Sequence, residues 1–436
     1  MDRAGFDHDV AVIGGGPSGS TAAAMLARLG RSVVQVESEP FPRFHIGESL
    51  LPRNVDVFDR IGVREKIEQA GFVEKWGASF QTEDGSLEAY VDFASAAEIT
   101  QPRAWQVRRS TFDSLLFEHA ASCGAHQRRA RVTAVDIDEQ GATLTLTETG
   151  TDAGNGTSTL RVRCVIDGGG RQSILGRRAG KRHMEPRLDN IAVHAQYTGI
   201  PRRAGRRQGD IRMVTRRDGG WSWFIPLDDD VTSVGVVLPK AVHVRAATSS
   251  AEDDLARYLG EMPAAQPLLA GAKRVSEARH EADYSYLSET HVGDRWLLVG
   301  DAAAFLDPVF STGVLLGMEG GVQAAELVHE GLSAGDLSRA RFRPLESAQI
   351  RRYEHFKRFV IGFYTPSFRA VFFRPTSRFG TVEAVLSILA GNWKPSLATR
   401  LRVELFFLII SLQRRFGMLD ESPVREIPSA HAPETT

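Results

Sequence analysis

Three groups of residues in this chain have types and spacing suited to chemistry. Gly14, Gly16 and Gly19 stand in Gly14-Gly15-Gly16-Pro17-Ser18-Gly19, between the apolar run Val10 to Ile13 and an alanine-rich stretch, Ser20 to Leu29. Glycines at this G-x-G-x-x-G spacing allow a tight turn, close approach of backbone to a diphosphate, and close packing of helix on strand. The diphosphate would rest on free amides at the helix start, where Pro17 and Ser18 stand. Glu37 ends the next apolar run, Ser32 to Val36, where a carboxylate accepts hydrogen bonds from ribose hydroxyls. Together these predict a dinucleotide site. The second group is Trp221-Ser222-Trp223-Phe224-Ile225-Pro226. As a strand it alternates faces, so Trp221, Trp223 and Ile225 form one wall of two indoles and a branched aliphatic. The third is Lys75, in a glycine and aromatic setting. Taken singly, the tryptophan run is a core strand and the lysine a side chain snorkelling to the surface.

Later segments decide which dinucleotide. Val299-Gly300-Asp301-Ala302-Ala303 resembles the Gly-Asp motif of class A flavoprotein monooxygenases, whose aspartate contacts the ribityl chain of FAD. Arg109-Ser110-Thr111-Phe112-Asp113 resembles their Arg-x-x-Phe-Asp element, whose arginine faces the flavin. Within that superfamily the first 330 or so residues resemble the flavin-dependent halogenases. Trp221 to Pro226 is similar to that family's W-x-W-x-I-P motif, and Glu74 to Phe80 to its K-x-G-x-x-F element. Phe41 to Ser49 resembles a flavin-lining segment, and Asp307 to Gly313 the segment beside the isoalloxazine where halide binds.

The resemblance implies FAD, used as FADH2, together with chloride or bromide. Arg43, Ser49, Arg109 and Asp301 would contact the cofactor, and the amides of Thr312 and Gly313 would hold the halide. Trp221 and Trp223 would seal flavin from substrate, and Lys75 would meet the hypohalous acid. Lys75 would then act as a haloamine or as a hydrogen-bond donor that polarises the oxygen–halogen bond. The first requires a neutral amine, which apolar walls favour by depressing the pKa. No second glycine fingerprint is present for a nicotinamide nucleotide, which points to a separate flavin reductase. His45 reads as a hydrogen-bonded histidine of the lining loop, and Glu48 and Ser49 as contacts at a helix start. Asp167 reads as positioning backbone at a strand end.

One departure is informative. Tryptophan halogenases carry a glutamate directly before Ser-Thr-Gly, and here that place is Phe310. A missing carboxylate matters less for a ring that is already activated, so the resemblance points to the phenol and pyrrole branch and Phe310 reads as packing. The substrate would be a small electron-rich aromatic, free or tethered to a peptidyl or acyl carrier protein, in natural-product biosynthesis. Two rivals share parts of the pattern: an FAD-dependent aromatic hydroxylase and an isoprenoid double-bond reductase.

These residues need an α/β scaffold to position them. The expected architecture is an interrupted Rossmann-like FAD-binding domain with an inserted β-sheet substrate domain and a helical C-terminal region. The boundaries are 1–88, 107–180 and 276–330 for the first, 89–106 and 181–275 for the second, 331–420 for the third, and a disordered tail at 421–436. Asp152 to Ser158 reads as a hairpin tip or loop. Phe356, Phe359, Phe363, Tyr364, Phe368, Phe372 and Phe373 crowd one helical stretch, as a core stripe or the wall of a substrate tunnel. Arg351, Arg352, Lys357, Arg358, Arg369 and Arg374 flank it, as a solvated face or a rim that docks an acidic carrier protein. The apolar run Leu405 to Ile410 is too short to span a membrane and reads as a buried helix segment or as a docking surface for a membrane or partner. With 53 basic and 54 acidic residues, nothing favours nucleic acid as partner. Cys123 and Cys164 are too few for a disulfide framework or a zinc site and suit a reducing cytoplasm. No metal is expected.

Overall fold

The computed structural model describes residues 5–149, 156–246, 250–282, 285–376 and 378–421. The segment read as a tail, from residue 422, and most of the 152–158 loop lie outside the described residues. Apolar strand cores pair as the opening motif requires. His8–Ile13 lies parallel to Val33–Glu37 on one side and to Thr157–Asp167 on the other, with Val10 opposite both Val33 and Cys164. Trp296–Leu298 adds beyond Thr157–Asp167, again in parallel. The outer halves of His126–Ile137 and Thr157–Asp167 run on into an antiparallel meander with Ala142–Glu148. Strands buried on both faces read as continuous Val and Ile runs, which is what Val10 to Ile13 and Val33 to Val36 show.

Two helices cross the face of this sheet. Pro17–Arg28 starts directly after the glycine turn, and Gly313–Ala334 packs against it. Their approach depends on missing Cβ atoms. A Cβ on Gly321 would lie 2.5 Å from the Ser18 carbonyl oxygen, and Cβ atoms on Gly300 and Gly317 would both collide with the Ser18 hydroxyl. Gly14 sits at φ +101° with its Cβ position 2.6 Å from the Gly168 oxygen, so it is excluded on both conformational and packing grounds.

A second sheet holds the tryptophan strand at its centre. Its order runs Asn190–Thr198, Thr232–Pro239, Trp221–Pro226, Ile211–Thr215, Gly77–Gln81, Glu88–Asp92, with short strands beyond Asn190–Thr198. All neighbours are antiparallel except Ile211–Thr215 and Gly77–Gln81. Gly77–Gln81 lies within the segment assigned from sequence to the cofactor domain, yet it belongs to this sheet. The strand alternation holds: Trp221, Trp223 and Ile225 join the core shared with the C-terminal helices, while Phe224 packs on the opposite side with Leu255, Tyr258 and Leu259. The C-terminal region is helical, with Arg339–Phe363, Pro366–Phe372, Thr381–Leu389 and Leu397–Phe416. The architecture is the expected mixed α/β fold.

Gly321→Val would force the two helices apart at the Ser18 backbone. A loss of about 1–3 kcal/mol in unfolding free energy is expected from such overpacking, measured by denaturant titration. An unchanged midpoint would show that the helices can separate at little cost.

Candidate active site

The cofactor cradle is the helix start after the glycine turn. No side chain caps the Pro17–Arg28 helix at Gly16, which leaves its first amides for a ligand. The Cβ position of Gly16 faces only the Arg43 guanidinium, at 3.6 Å. Glu37 closes the end of its strand, accepting from the Gly15 amide at 2.6 Å, with Arg43 at 3.6 Å from its carboxylate. Arg109 is held by a bidentate pair with Asp113, at 2.8 and 2.9 Å, and donates to the Ile46 carbonyl. A hollow beside the start of the Gly313–Ala334 helix is lined by Gly300, Asp301, Leu306, Gly313 and Gly317. Burial raises the Asp301 carboxyl to about 6, opposed first by the Arg109 charge. An uncapped helix start, a side-chain-free cradle and a carboxyl facing this hollow fit an FAD.

Lys75 is not a surface lysine. It ends the strand Val73–Lys75, paired with Ala104–Gln106, and is 1% exposed. Its Nζ donates to Ser49 Oγ at 2.8 Å and to the Leu50 carbonyl at 2.9 Å, with the Phe93 ring centre 5.2 Å away. Burial drives its pKa down to about 7, with Asp210 acting weakly the other way. Ser49, expected among the cofactor contacts, is the lysine's hydrogen-bond partner; it does not stand at a helix start, since Asn54–Ile61 begins further on. The adjacent Glu48 is buried, and burial raises its carboxyl to about 7 against a hydrogen bond from Ser233. Ser233 Oγ also accepts from Trp223 Nε1 at 3.2 Å. The Glu48-Ser49 pair therefore joins the lysine to the tryptophan wall.

That wall is pinned at both indoles. The two rings stand 5.8 Å apart, tilted by 49°. Trp223 lies over Gly235, where any Cβ would strike its ring. Trp221 Nε1 donates to Tyr364 Oη at 2.8 Å, and Tyr364 donates to Asp307 Oδ2 at 2.8 Å. Asn190 Nδ2 reaches the same carboxylate oxygen at 2.9 Å, and the other caps the Val309 amide. Asp307 opens the turn that leads to Thr312 and Gly313. There Ser311 is left-handed at φ 58°, Thr312 Oγ1 is buried with no partner, and a Cβ on Gly313 would meet open space. The helix behind has no side-chain cap. Free amides and an orphaned hydroxyl at a helix start suit a small anion.

Tyr364, Asp307, Asn190, Glu48 and Ser233 carry this geometry; the sequence singled out Glu48 as a contact and included Tyr364 and Asp307 in wider segments, but nothing in it marked Asn190 or Ser233. Glycine inside the Thr232–Pro239 strand was an available signal for close approach of Trp223. His45 keeps its expected role, with Nδ1 3.0 Å from the Ile46 carbonyl. Asp167 does position backbone, accepting from the amides of Gly169 and Leu175. Phe310 packs against Phe80 and Phe363, at 6.3 and 5.5 Å between ring centres. The aromatic stretch is two helices, broken where Thr365 caps the second, and its phenylalanines are buried. The flanking cations form no continuous rim. Arg352 and Arg369 are buried, Lys357 pairs with Glu354, and Arg358 pairs with Glu404. Among the described residues one group has metal-ligand character, His243, Asp254 and His280. It lies with the helices on the far side of the tryptophan sheet, and its members already bond Tyr258 and one another.

Residues 7–353 match a family model described as an FAD binding domain. A 1H-pyrrole-2-carbonyl-(peptidyl-carrier protein) chlorinase of Pseudomonas fluorescens is 31% identical over 385 residues, 82% of this chain and 84% of that protein. A 1H-pyrrole-2-carbonyl-(peptidyl-carrier protein) brominase of Pseudoalteromonas luteoviolacea is 32% identical over 333 residues, 76% of this chain and 79% of that protein. The solved structure of the flavin-dependent brominase Bmp2 is similar at a TM-score of 0.82 and 28% identity, covering 94% of this chain and 99% of that one.

The buried amine makes a prediction about stability. Lys75 titrates near 7 in the fold against an ordinary value of 10.5. Between those values the unfolded chain holds the extra proton, so folding stability rises with pH across this window. The stability of Lys75→Met relative to the parent should be greatest below pH about 7 and decline towards pH about 10.5. Denaturant unfolding across that range measures it, and a pH-independent difference would place the amine in contact with water.

Proposed function

We propose a reaction for this chain on one premise: it belongs to the flavin-dependent halogenases, oxidoreductases that use FAD and halide. The substrate is an electron-rich ring of phenol or pyrrole type. The two relatives above act on a pyrrole carried by a peptidyl-carrier protein, which supports a tethered aryl substrate here. A separate reductase supplies the reduced cofactor, in a cytoplasmic setting. No helix of the described residues is long and apolar enough to cross a membrane.

One observation carries the reading: a buried amine with a pKa near 7 is joined, through Ser49, Glu48 and Ser233, to one of two hydrogen-bonded indoles. Bound reduced FAD, with oxygen, supplies the oxidising power that turns halide into hypohalous acid. The protein's part is placement and exclusion. Gly14, Gly16 and Gly19 admit the diphosphate, Glu37 takes the ribose, and Arg43, Arg109 and Asp301 line the remainder. The amides of Thr312 and Gly313 hold the halide. Trp221 and Trp223 keep the aromatic substrate from the cofactor, so that only the small oxidant passes. Lys75 receives it. Near neutrality much of the amine is uncharged, which admits attack on the halogen, breaking the oxygen–halogen bond and losing an amine proton with the hydroxide as water, to give a haloamine; the charged form instead donates a hydrogen bond to the hypohalous oxygen. Phe310 puts no carboxylate beside the ring, so activation comes from the substrate's own heteroatom. Neither a hydroxylase nor a double-bond reductase needs an amine sealed in this way.

Lys75→Ala should lower halogenation by about a hundredfold or more, while consumption of reduced FAD and release of hypohalous acid continue. Mass spectrometry of product and trapping of free oxidant measure both, and retained halogenation would remove Lys75 from the chemistry. Gly313→Val fills the open space before the halide amides. The halide concentration for half-maximal rate should rise by about tenfold or more, as expected when a hydrogen bond to an ion is weakened. An unchanged halide dependence would place the ion elsewhere.

A further inference from the structure

The last helix, Leu397–Phe416, is apolar on both sides. Its inward side buries Val403 and Phe406 and packs on Phe368, 5.4 Å from Phe406 between ring centres. A surface helix ordinarily keeps its outward side polar. Here that side carries Leu397, Leu401, Leu408, Leu412 and Phe416, which are between 38% and 73% exposed, with Leu405 half-buried beside them. Of the two sequence readings of Leu405 to Ile410, burial holds for Phe406, while Leu408 is exposed as a docking surface requires. An apolar stripe along about 30 Å of helix is an interaction surface.

The pattern says what covers it. The apolar positions 397, 401, 405, 408, 412 and 416 follow one another at intervals of four, four, three, four and four residues. That series reads the same from either end. About a point between Phe406 and Phe407, Leu397 answers to Phe416, Leu401 to Leu412, and Leu405 to Leu408. A two-fold contact between identical surfaces requires this reciprocity, residue i meeting j while j meets i. The charges comply: Arg400 falls opposite Gln413, Arg402 opposite Ser411, and Arg415 opposite Ala398. Glu404 is already paired with Arg358, at 2.8 Å. Exposed Phe379 and Met418 extend the patch; the neighbouring Gly380 has its Cβ position 3.2 Å from Arg402. The chain beyond the helix is a poor candidate cover, because residues 422–436 contain only Val424 and Ile427 as large aliphatics.

We propose that a second copy of this chain covers the stripe, the two helices packing antiparallel about a two-fold axis near Phe406 and Phe407. The contact also bears on the lysine side of the molecule. Ser396 Oγ and Thr399 Oγ1, at the start of this helix, donate to Glu98 at 2.6 and 2.5 Å. Glu98 closely follows the Phe93–Ser95 turn, whose Phe93 ring lies against Lys75. Dimerisation therefore braces the segment that carries Phe93 against Lys75.

Sedimentation velocity of the full chain over a concentration series tests this. The expected result is a dimer, and Leu408→Glu should weaken its dissociation constant by about tenfold or more while circular dichroism stays unchanged. The register has its own test. Leu401→Lys and Leu412→Glu should each be monomeric alone, yet form a mixed dimer when combined, since position 401 of one copy meets 412 of the other. A monomeric parent chain overturns the proposal, as does a dimer that survives Leu408→Glu or a mixture that fails to pair. A monomer that dimerises only after removal of 422–436 would assign the stripe to the tail. A monomer that sediments with phosphatidylglycerol vesicles would assign it to a lipid surface. Either result rejects the second copy.

Discussion

Taking a lysine amine out of water is the constraint around which the site is organised. A charged ammonium cannot be buried cheaply, so the fold must either pair it or let it lose its proton. Among the described residues no carboxylate pairs with Lys75. The amine donates to a hydroxyl and a carbonyl, and the proton is held only weakly. Hydrogen bonds to Ser49 and Leu50 fix where Nζ points without restoring the charge. The same dipeptide carries Glu48, whose carboxyl is also pushed towards neutrality by burial. Two groups of opposite type, both titrating near 7, flank one stretch of backbone. Such a pairing of perturbed groups is characteristic of sites rather than of packing.

The partition follows from the same economy of polar contacts. An indole buried in a sheet has one polar atom to satisfy. Trp223 spends it on Ser233, which also serves Glu48, and Trp221 spends it on Tyr364, which serves Asp307. Neither ring can rotate without stranding a buried donor, at a cost of about 1–3 kcal/mol each. On the proposed reading this rigidity is what makes the wall a barrier, since a ring free to swing would admit the substrate to the cofactor side.

Much of this was legible from residue types in order. Gly14, Gly16, Gly19 and Glu37 announce their strand–turn–helix because each answers a local need of that turn, and the Trp221–Pro226 alternation follows from strand geometry alone. Contacts between distant segments were not legible. Nothing local in Tyr364 or Asp307 marks them as partners, since 57 residues separate them and each reads as an ordinary helix-end tyrosine or turn aspartate. The bond of Ser49 to Lys75 was hidden for the same reason: its partner lies on a strand 26 residues away. The arginines after residue 350 misled in the opposite direction. A run of cations suggests a basic face, but Arg352 lies over Trp393 at 4.3 Å and Arg369 caps carbonyls of the tryptophan hairpin, so these charges build the interior.

Asp307 links the parts into one device. Its backbone begins the turn that ends at Thr312 and Gly313, and its carboxylate receives the hydroxyl that holds Trp221. Burial raises its carboxyl pKa, while Asn190, Tyr364 and the Val309 amide pull it back. With three donors converging on a carboxyl of zero exposure, the turn and the wall cannot shift independently. The place directly before Ser311 holds Phe310 rather than an acid, and the Asp307 carboxyl at the head of the same turn is taken up by this brace. On the proposed reading, a fold whose acid serves rigidity leaves the activation of the ring to the ring itself, which is the physical reason to expect a phenol or pyrrole as substrate.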